Sequence, residues 1–302
     1  MSDWNEFIQR VLTPKITDTV FVKSIEPFKN LFGVDSYVGG DRIVEKFKMS
    51  WTSNAAEYDK TDVNPAISSN VIQKPYWNKK FYHGSAGVHN IDVSNAKNGG
   101  LEFDFVSDSL ASEVAAMMDV VYSAFLTQLA ADVDLTTAYG DGSLSRTTYP
   151  TLASEEDATV TTITVPLMRE MIRQTRLLKL CGKLNGYTCL MEEGVFNKFK
   201  PLAAALHTFA INDSKAGEKL DMGHQTLANF EGLDINDPAD FPSMTAGDVY
   251  MLRREDVKIK IHRPLEIEAV PSGRDAVEFV CRIGINFHVI NPGFQGKMTN
   301  KS

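Results

Sequence analysis

Ser109-Leu-Ala-Ser-Glu-Val-Ala-Ala-Met-Met-Asp-Val-Val-Tyr-Ser-Ala-Phe-Leu-Thr-Gln-Leu-Ala-Ala-Asp132 is the stretch on which the fold turns. Leu110, Val114, Met117, Met118, Val121, Phe125 and Leu129 recur at steps of three and four, the period of one helical face. The other side carries Ser, Gln and Asp. Asp108 and Ser109 can cap the start, and Glu113 places negative charge near the positive end of the helix dipole. The spacing predicts one helix from about Ser109 to Asp132, ~35 Å long at 1.5 Å per residue.

Upstream of it the pattern changes twice. Residues 1 to about 43 read as a detached arm. Trp4, Phe7, Ile8, Val11 and Leu12 have helical spacing, but Pro14 is expected to stop that helix early. Val20, Phe21, Phe28, Leu31 and Phe32 follow, broken by Pro27 and Gly33. So many large apolar groups on short elements cannot bury one another, so the arm packs on another body, its own or a neighbour's. Residues from about Val44 to Phe105 read as extended. Glu45 to Trp51 alternates polar and apolar, as a half-exposed strand does, and Val71 to Tyr82 is a second strand that Pro75 demotes to an edge. Asn98-Gly99-Gly100 signals a turn. A segment this long with little helix is usually functional, and a projecting hairpin that reaches a partner is one explanation.

Downstream, residues 133 to 163 read as a loop and a Thr-rich strand. A second helix starts at Thr164, has Pro166 in its first turn and ends near Leu180. Its Arg169, Arg173 and Arg176 form a solvated or salt-bridging stripe. Tyr187 to Met191 reads as a short strand, and a third helix covers about Glu192 to Lys200. The last third is β-rich: Val249 to Leu252 is a compact apolar run, and Val257, Ile259 and Ile261 alternate with Lys258, Lys260 and His262. Glu266 to Val270 and Val277 to Val289 repeat the pattern of antiparallel strands with one wet and one buried face. The tail from Asn291 reads as short and polar. The whole is an α+β chain.

Composition narrows the function. A formal net charge of -8 over 302 residues argues against a protein that grips nucleic acid through a basic face. Cys181, Cys189 and Cys281 have no disulfide or metal spacing and read as buried thiols. Met1-Ser-Asp-Trp-Asn-Glu-Phe lacks the basic and apolar regions of a signal peptide, and no continuous apolar run is long enough for a membrane span, so a soluble cytosolic product is expected. There is no nucleophile elbow, Walker loop or zinc-protease motif, and Tyr139-Gly-Asp-Gly-Ser143 holds only a lone GxG, better read as a turn. His83 and His89, near Asp92, are the one loose cluster of metal-type ligands, without a known ligand spacing. No catalytic residue, metal or cofactor is expected.

The order of these pieces resembles the HK97-type major capsid family of tailed phages. Met49 to Tyr58 with the region to Phe105 looks like that family's extended E-loop, and Ser107 to Asp132 looks like its spine helix. Thr164 to Met171, Gly186 to Met191 and Gly247 to Val257 look like its core. The resemblance implies an arm (1–43), an E-loop region with peripheral-domain strands (44–105) and a peripheral (P) domain with the spine helix (106–150). It further implies an axial (A) domain (151–250) and closing strands with the C-terminus (251–302). It implies copies closing as hexamers and pentamers around double-stranded DNA without sequence-specific binding, a place in the virion after assembly in the host cytoplasm, and no membrane. A separate scaffolding protein, a portal and decoration proteins are the further partners. Arm and loop would touch neighbouring subunits through Trp4, Phe7, Phe21, Phe28, Phe32, Trp77, Lys79, Lys80, Phe81 and Tyr82. Some relatives crosslink Lys to Asn, and Lys79, Lys80 and Asn95 fall in the loop.

Three readings compete. An encapsulin-like compartment shares the architecture but stores an enzyme. A soluble α/β enzyme would use a metal on His83, His89 and Asp92. A tail or decoration protein would be richer in strands and lack the long helix.

Overall fold

The computed structural model describes residues 8–45, 47–48, 72–73, 76–89, 102–133, 162–177, 186–210, 229–230, 232–242, 244–272, 276–290 and 295–299. The helices are α1 (Thr13–Ile16), α2 (Val22–Leu31), α3 (Glu102–Val133), α4 (Val165–Leu177) and α5 (Glu193–Ala210). The strands begin with β1 (Asp35–Ser36), β2 (Arg42–Val44), β3 (Phe47–Lys48), β4 (Ile72–Gln73), β5 (Tyr76–Asn78), β6 (Phe81–His89) and β7 (Tyr187–Met191). They continue with β8 (Asn229–Phe230), β9 (Leu233–Ile235), β10 (Val249–Arg253), β11 (Val257–Ser272), β12 (Ala276–Val289) and β13 (Gly296–Met298). The chain divides into two compact units: Met1–Ile43, Asn78–Gln128 and Lys258–Phe287 form one, and Val44–Trp77, Leu129–Val257 and His288–Ser302 the other.

The first unit is a helix pair on a sheet. Strands run in the order β1-β11-β12-β6. β6 and β12 are antiparallel from Phe81 opposite Gly284 to His89 opposite Ala276. β1 joins β11 in parallel, with Asp35 opposite Lys260. On β6, Gly84 and Val88 are buried while Phe81, His83, Ser85, Gly87 and His89 are exposed, the alternation of a one-sided strand. β12 departs from that expectation: from Ile283 to Phe287 every residue is buried, because Phe287 faces the aromatic core while Asn286 faces the polar corner described below.

The long helix starts at Glu102, not near Ser109, so Asp108 and Ser109 lie inside it and cap nothing. Val106, buried one turn before Leu110, continues the apolar stripe. Glu102-Phe-Asp-Phe mimics the two-residue period of a strand, but extending an existing helix costs far less than starting one. At 32 residues it is ~48 Å long. Val106–Val133 is long and apolar enough by composition to cross a bilayer. Its apolar stripe, from Val106 to Val133, is spent on core contacts.

The arm also differs from its reading. Residues 8–31 stay helical throughout, with π turns at Ile8–Leu12 and Thr17–Phe21 between the α segments. Pro14 does not end the helix: it stands at the start of α1, where the π turn of Ile8–Leu12 passes into the α segment. The π turn adds a residue, and the step of five from Ile16 to Phe21 keeps Leu12, Ile16, Phe21, Ile25 and Phe28 on one buried side. Gly33, in the left-handed region at φ 74, closes the helix with its N–H on the carbonyl of Lys29. The arm therefore packs on its own body. The Phe28 ring lies 4.8 Å from Tyr122, 5.0 Å from Phe125 and 5.5 Å from Phe287, and the Tyr122 hydroxyl donates to the carbonyl of Ser24.

The second unit is a sheet covered by helices, in the order β13-β10-β7-β9-β8. β10 and β7 are antiparallel, with Val249 opposite Met191, and β9 joins β7 in parallel. Met168, Met171 and Ile172 of α4 and Val195, Phe196 and Phe199 of α5 share one core with Tyr187, Cys189 and Met191. Thr164 accepts the Leu167 N–H at 3.3 Å to start α4, and Arg173 pairs with Glu170 on its exposed side. The carboxylate of Glu192 starts α5 by accepting from Gly194 at 2.8 Å and Val195 at 3.2 Å. α5 runs through Pro201 to Ala210, beyond the Lys200 end expected from sequence, because Phe199 and Ala203 on either side are held in the core. The tail supplies an unexpected edge strand, β13, with Met298 buried and Gln295 bonded to Asp256 at 3.1 Å.

The segment that leaves at Lys48 returns at Ile72, since β3 and β4 are antiparallel with Phe47 opposite Gln73. Residues 49–71, most of the region read as the E-loop, lie outside the described residues, as do Asn98-Gly99-Gly100, Tyr139 to Ser143, most of the Thr-rich segment and Cys181.

Candidate assembly surface

Where the chain enters the first unit again, at Asn78 to Phe81, it turns a corner that a single buried amide organises. Asn286 is 1% exposed, so its polar atoms have to be satisfied inside the protein. Its Nδ2 donates to the Asn78 carbonyl at 2.8 Å and its Oδ1 accepts the Lys80 N–H at 2.9 Å. The His262 Nε2 lies 3.1 Å from that Oδ1 and 3.1 Å from the Lys80 carbonyl. Both neighbours are acceptors, so Nε2 carries the proton and donates to them. Burial holds the His262 pKa below the ordinary imidazole value, the Asn286 bond opposes that, and the nearby Lys79 charge adds to it. A Cβ on Gly284 would fall on the His262 ring, so the bare glycine leaves the ring its place.

On this corner sits an exposed aromatic with two cations. Phe81 is 60% exposed and meets the His262 ring edge to face at 4.9 Å. The Lys79 ammonium donates to the Gly39 carbonyl at 3.0 Å and lies 5.6 Å from the Tyr37 ring centroid. The Lys80 ammonium donates to the Gln128 side chain at 2.8 Å. Among the described residues neither lysine has a carboxylate partner, whereas Lys260 pairs with Asp35, Arg263 with Glu266 and Arg282 with Glu268.

The residues expected at intersubunit contacts are thus spread widely. Trp4, Phe7 and Asn95 lie outside the described residues. Phe28 at 0% and Trp77 at 1% exposure, and nearly so Phe21, are covered by their own chain, and a covered side chain has no surface to offer a neighbour. Phe28 belongs to the aromatic core, and Trp77 stacks on the buried His288 at 4.2 Å, whose Nε2 lies 3.3 Å from Glu45. Phe32 is half-buried with its ring 6.0 Å from Phe125, and Tyr82 is half-buried with its hydroxyl pKa pushed up by burial. Lys79, Lys80 and Phe81 remain as presented groups. Tyr37, Gln128, His262, Gly284 and Asn286 were missed. The available signal was Asn286, a polar residue in the apolar run Ile285-Asn-Phe287, which a strand interior tolerates only when bonded.

The geometry excludes a shared metal on His83 and His89. They stand six residues apart on one extended strand, ~20 Å at 3.3 Å per residue. Among the described residues, no three His, Cys, Asp or Glu side chains are grouped to hold an ion. Asp92 lies outside the described residues.

No family model and no curated relative matches the sequence. Solved structures do match it, over nearly all of its length. The capsid asymmetric unit of cyanophage A-1(L) superposes with a TM-score of 0.69 at 13% identity, covering 91% of this chain and 92% of that one. The chain has the fold of a phage capsid protein. A virus-like particle from Pyrococcus furiosus shares the fold with a TM-score of 0.55 at 7% identity, covering 94% of this chain and 98% of that one. The capsid of a native GTA particle shares it with a TM-score of 0.55 at 11% identity, covering 91% and 90%. Within this fold the corner presents an exposed ring beside two lysines that have no carboxylate partner among the described residues.

Proposed function

We propose that the chain is the major capsid protein of a tailed phage, a shell subunit with a structural and not a catalytic role. The observation that carries this is the fold shared with a phage capsid subunit over 91% of this chain and 92% of that one. In this reading copies associate as hexamers and pentamers, close an icosahedral head around double-stranded DNA and reside in the virion after assembly in the host cytoplasm. The unit that holds the long helix is the P domain, and the unit built on the five-stranded sheet is the A domain. A net charge of -8 suits a wall that does not bind its contents tightly. A scaffolding protein, portal and decoration proteins are the expected accessory partners. Negative-stain microscopy of the purified full chain, alone and with a candidate scaffold, tests the proposal. Closed shells are expected, and a persistent monomer at high concentration in both preparations would overturn it.

A second reading, a compartment shell of encapsulin type around a protein cargo, has support from the fold shared with the Pyrococcus furiosus particle. Nuclease-protected DNA inside shells isolated from the native source favours the head, and a co-purifying enzyme favours the compartment.

A further inference from the structure

The tail Gln295-Gly-Lys-Met-Thr299 is largely polar, yet it sits in the second unit as an extended peptide sits in a receptor. β13 adds to the edge of β10, with Val249 opposite Met298, Tyr250 opposite Lys297 and Met251 opposite Gly296. Its side chains alternate. Met298 is fully buried in the core, and Gly296 on the same side lies bare against the end of the Met171 side chain. Gln295 and Lys297, on the other side, meet polar partners. Main-chain pairing with a separate seat for alternate side chains is how a sheet edge takes a peptide.

The body supplies those seats. Asp248 is buried and accepts the Tyr250 hydroxyl at 2.8 Å. The Lys297 ammonium lies 3.9 Å from the same carboxylate oxygen and 5.4 Å from the Tyr250 ring centroid. Among the described residues no other cation pairs with Asp248. The Gln295 side chain, itself fully buried, accepts the Arg253 N–H at 2.6 Å and donates to the buried Asp256 carboxylate at 3.1 Å. Without the tail, Asp248 would lose its cation and β10 would show a bare edge. The apolar core would lose little, since among the described residues the tail gives it Met298 alone. A segment held by its own set of seats, and lightly rooted in the core, is suited to leave and return as a piece.

We propose that residues 295–299 are a latch that opens while the rest of the second unit stays folded, and that the groove it leaves on β10 binds the same peptide from solution. The ligand is an extended segment that presents glutamine, a small residue, a cation and methionine in succession. The latch is independent of the shell reading, because every contact it uses lies within one unit of one copy.

Two changes in the full chain empty the groove: Gln295→Glu sets a carboxylate against Asp256, and Met298→Glu puts a charge into the core. A fluorescent peptide of residues 295–302 is expected to bind this variant at least about tenfold more tightly than the parent, whose own tail competes for the groove. The peptide carrying the same two changes should bind neither chain. Binding to a folded variant no tighter than to the parent would overturn the latch. Should the variant not fold, native-state hydrogen exchange of the parent decides. Those amides of residues 296–298 that bond to β10 are expected to exchange at least about tenfold faster than the ladder amides of Thr188, Cys189 and Leu190 on its other edge. Equal rates, set by unfolding of the whole unit, would overturn it too.

Discussion

Asn286 shows how much one buried amide can decide. It holds both sides of the corner, and a truncation would take from the Asn78 carbonyl and the Lys80 N–H their buried partner. Asn286→Ala is expected to cost about 1–3 kcal/mol, read as a lower urea midpoint with an unchanged slope. His262, which leans on the same oxygen, makes the corner pH-sensitive. Burial lowers its pKa in the folded state, so acid favours the unfolded form. The stabilisation is complete above the ordinary imidazole value of about 6.5 and is lost as pH falls below it. Exchange of the Lys80 amide should therefore quicken in mild acid in the parent, and in His262→Phe that acid-dependent part should vanish. The neighbouring thiol behaves oppositely: burial, helped by the Glu113 charge, pushes the Cys281 pKa up to about 12, so native protein should resist alkylation there at pH 8.

At the scale of elements, the arm and the long helix form one cooperative pair. Phe28 is their hinge pin, with three rings around it. Phe28→Ala removes a fully buried aromatic and is expected to cost about 3–5 kcal/mol and to expose residues 8–31 to protease before the rest unfolds. A variant that melts like the parent with the arm still protected would contradict this packing. The sequence left open whether the arm packs on its own body or on a neighbour; residues 8–31 pack on their own, since the π turns bring five apolar groups onto one side, which proline counting could not foresee. The same blindness moved the start of the long helix, where Glu102-Phe-Asp-Phe carries a strand-like alternation, and hid β13, three residues whose strand state comes from pairing with β10.

For the whole molecule, the proposed shell would couple stability to assembly. If shells are the finished state, subunits in shells should melt higher than dispersed subunits, and the dispersed midpoint should rise with concentration, because association binds only the native form. A midpoint independent of concentration from dilute to shell-forming conditions would show that copies gain nothing from one another. The elements needed for this were legible beforehand to different degrees. The apolar steps from Leu110 to Leu129, the strand Tyr187 to Met191 and the run Val249 to Leu252 were all readable, since each carries its own period. The residues of the corner were readable only where they follow one another in the chain, as Lys79, Lys80 and Phe81 do.

Local pattern alone therefore settled the helices and strands with strong periodicity, their order along the chain, and the α+β character that the capsid fold requires. Which apolar groups are hidden, and by what, came only from tertiary packing: Phe28 and Trp77 look as available in sequence as Phe81, yet only Phe81 is left outside. The difference is physical. Periodicity is a property of neighbours along a chain, whereas burial depends on residues such as Tyr122, Phe287 and His288 that folding brings from far away, and no local pattern records their arrival.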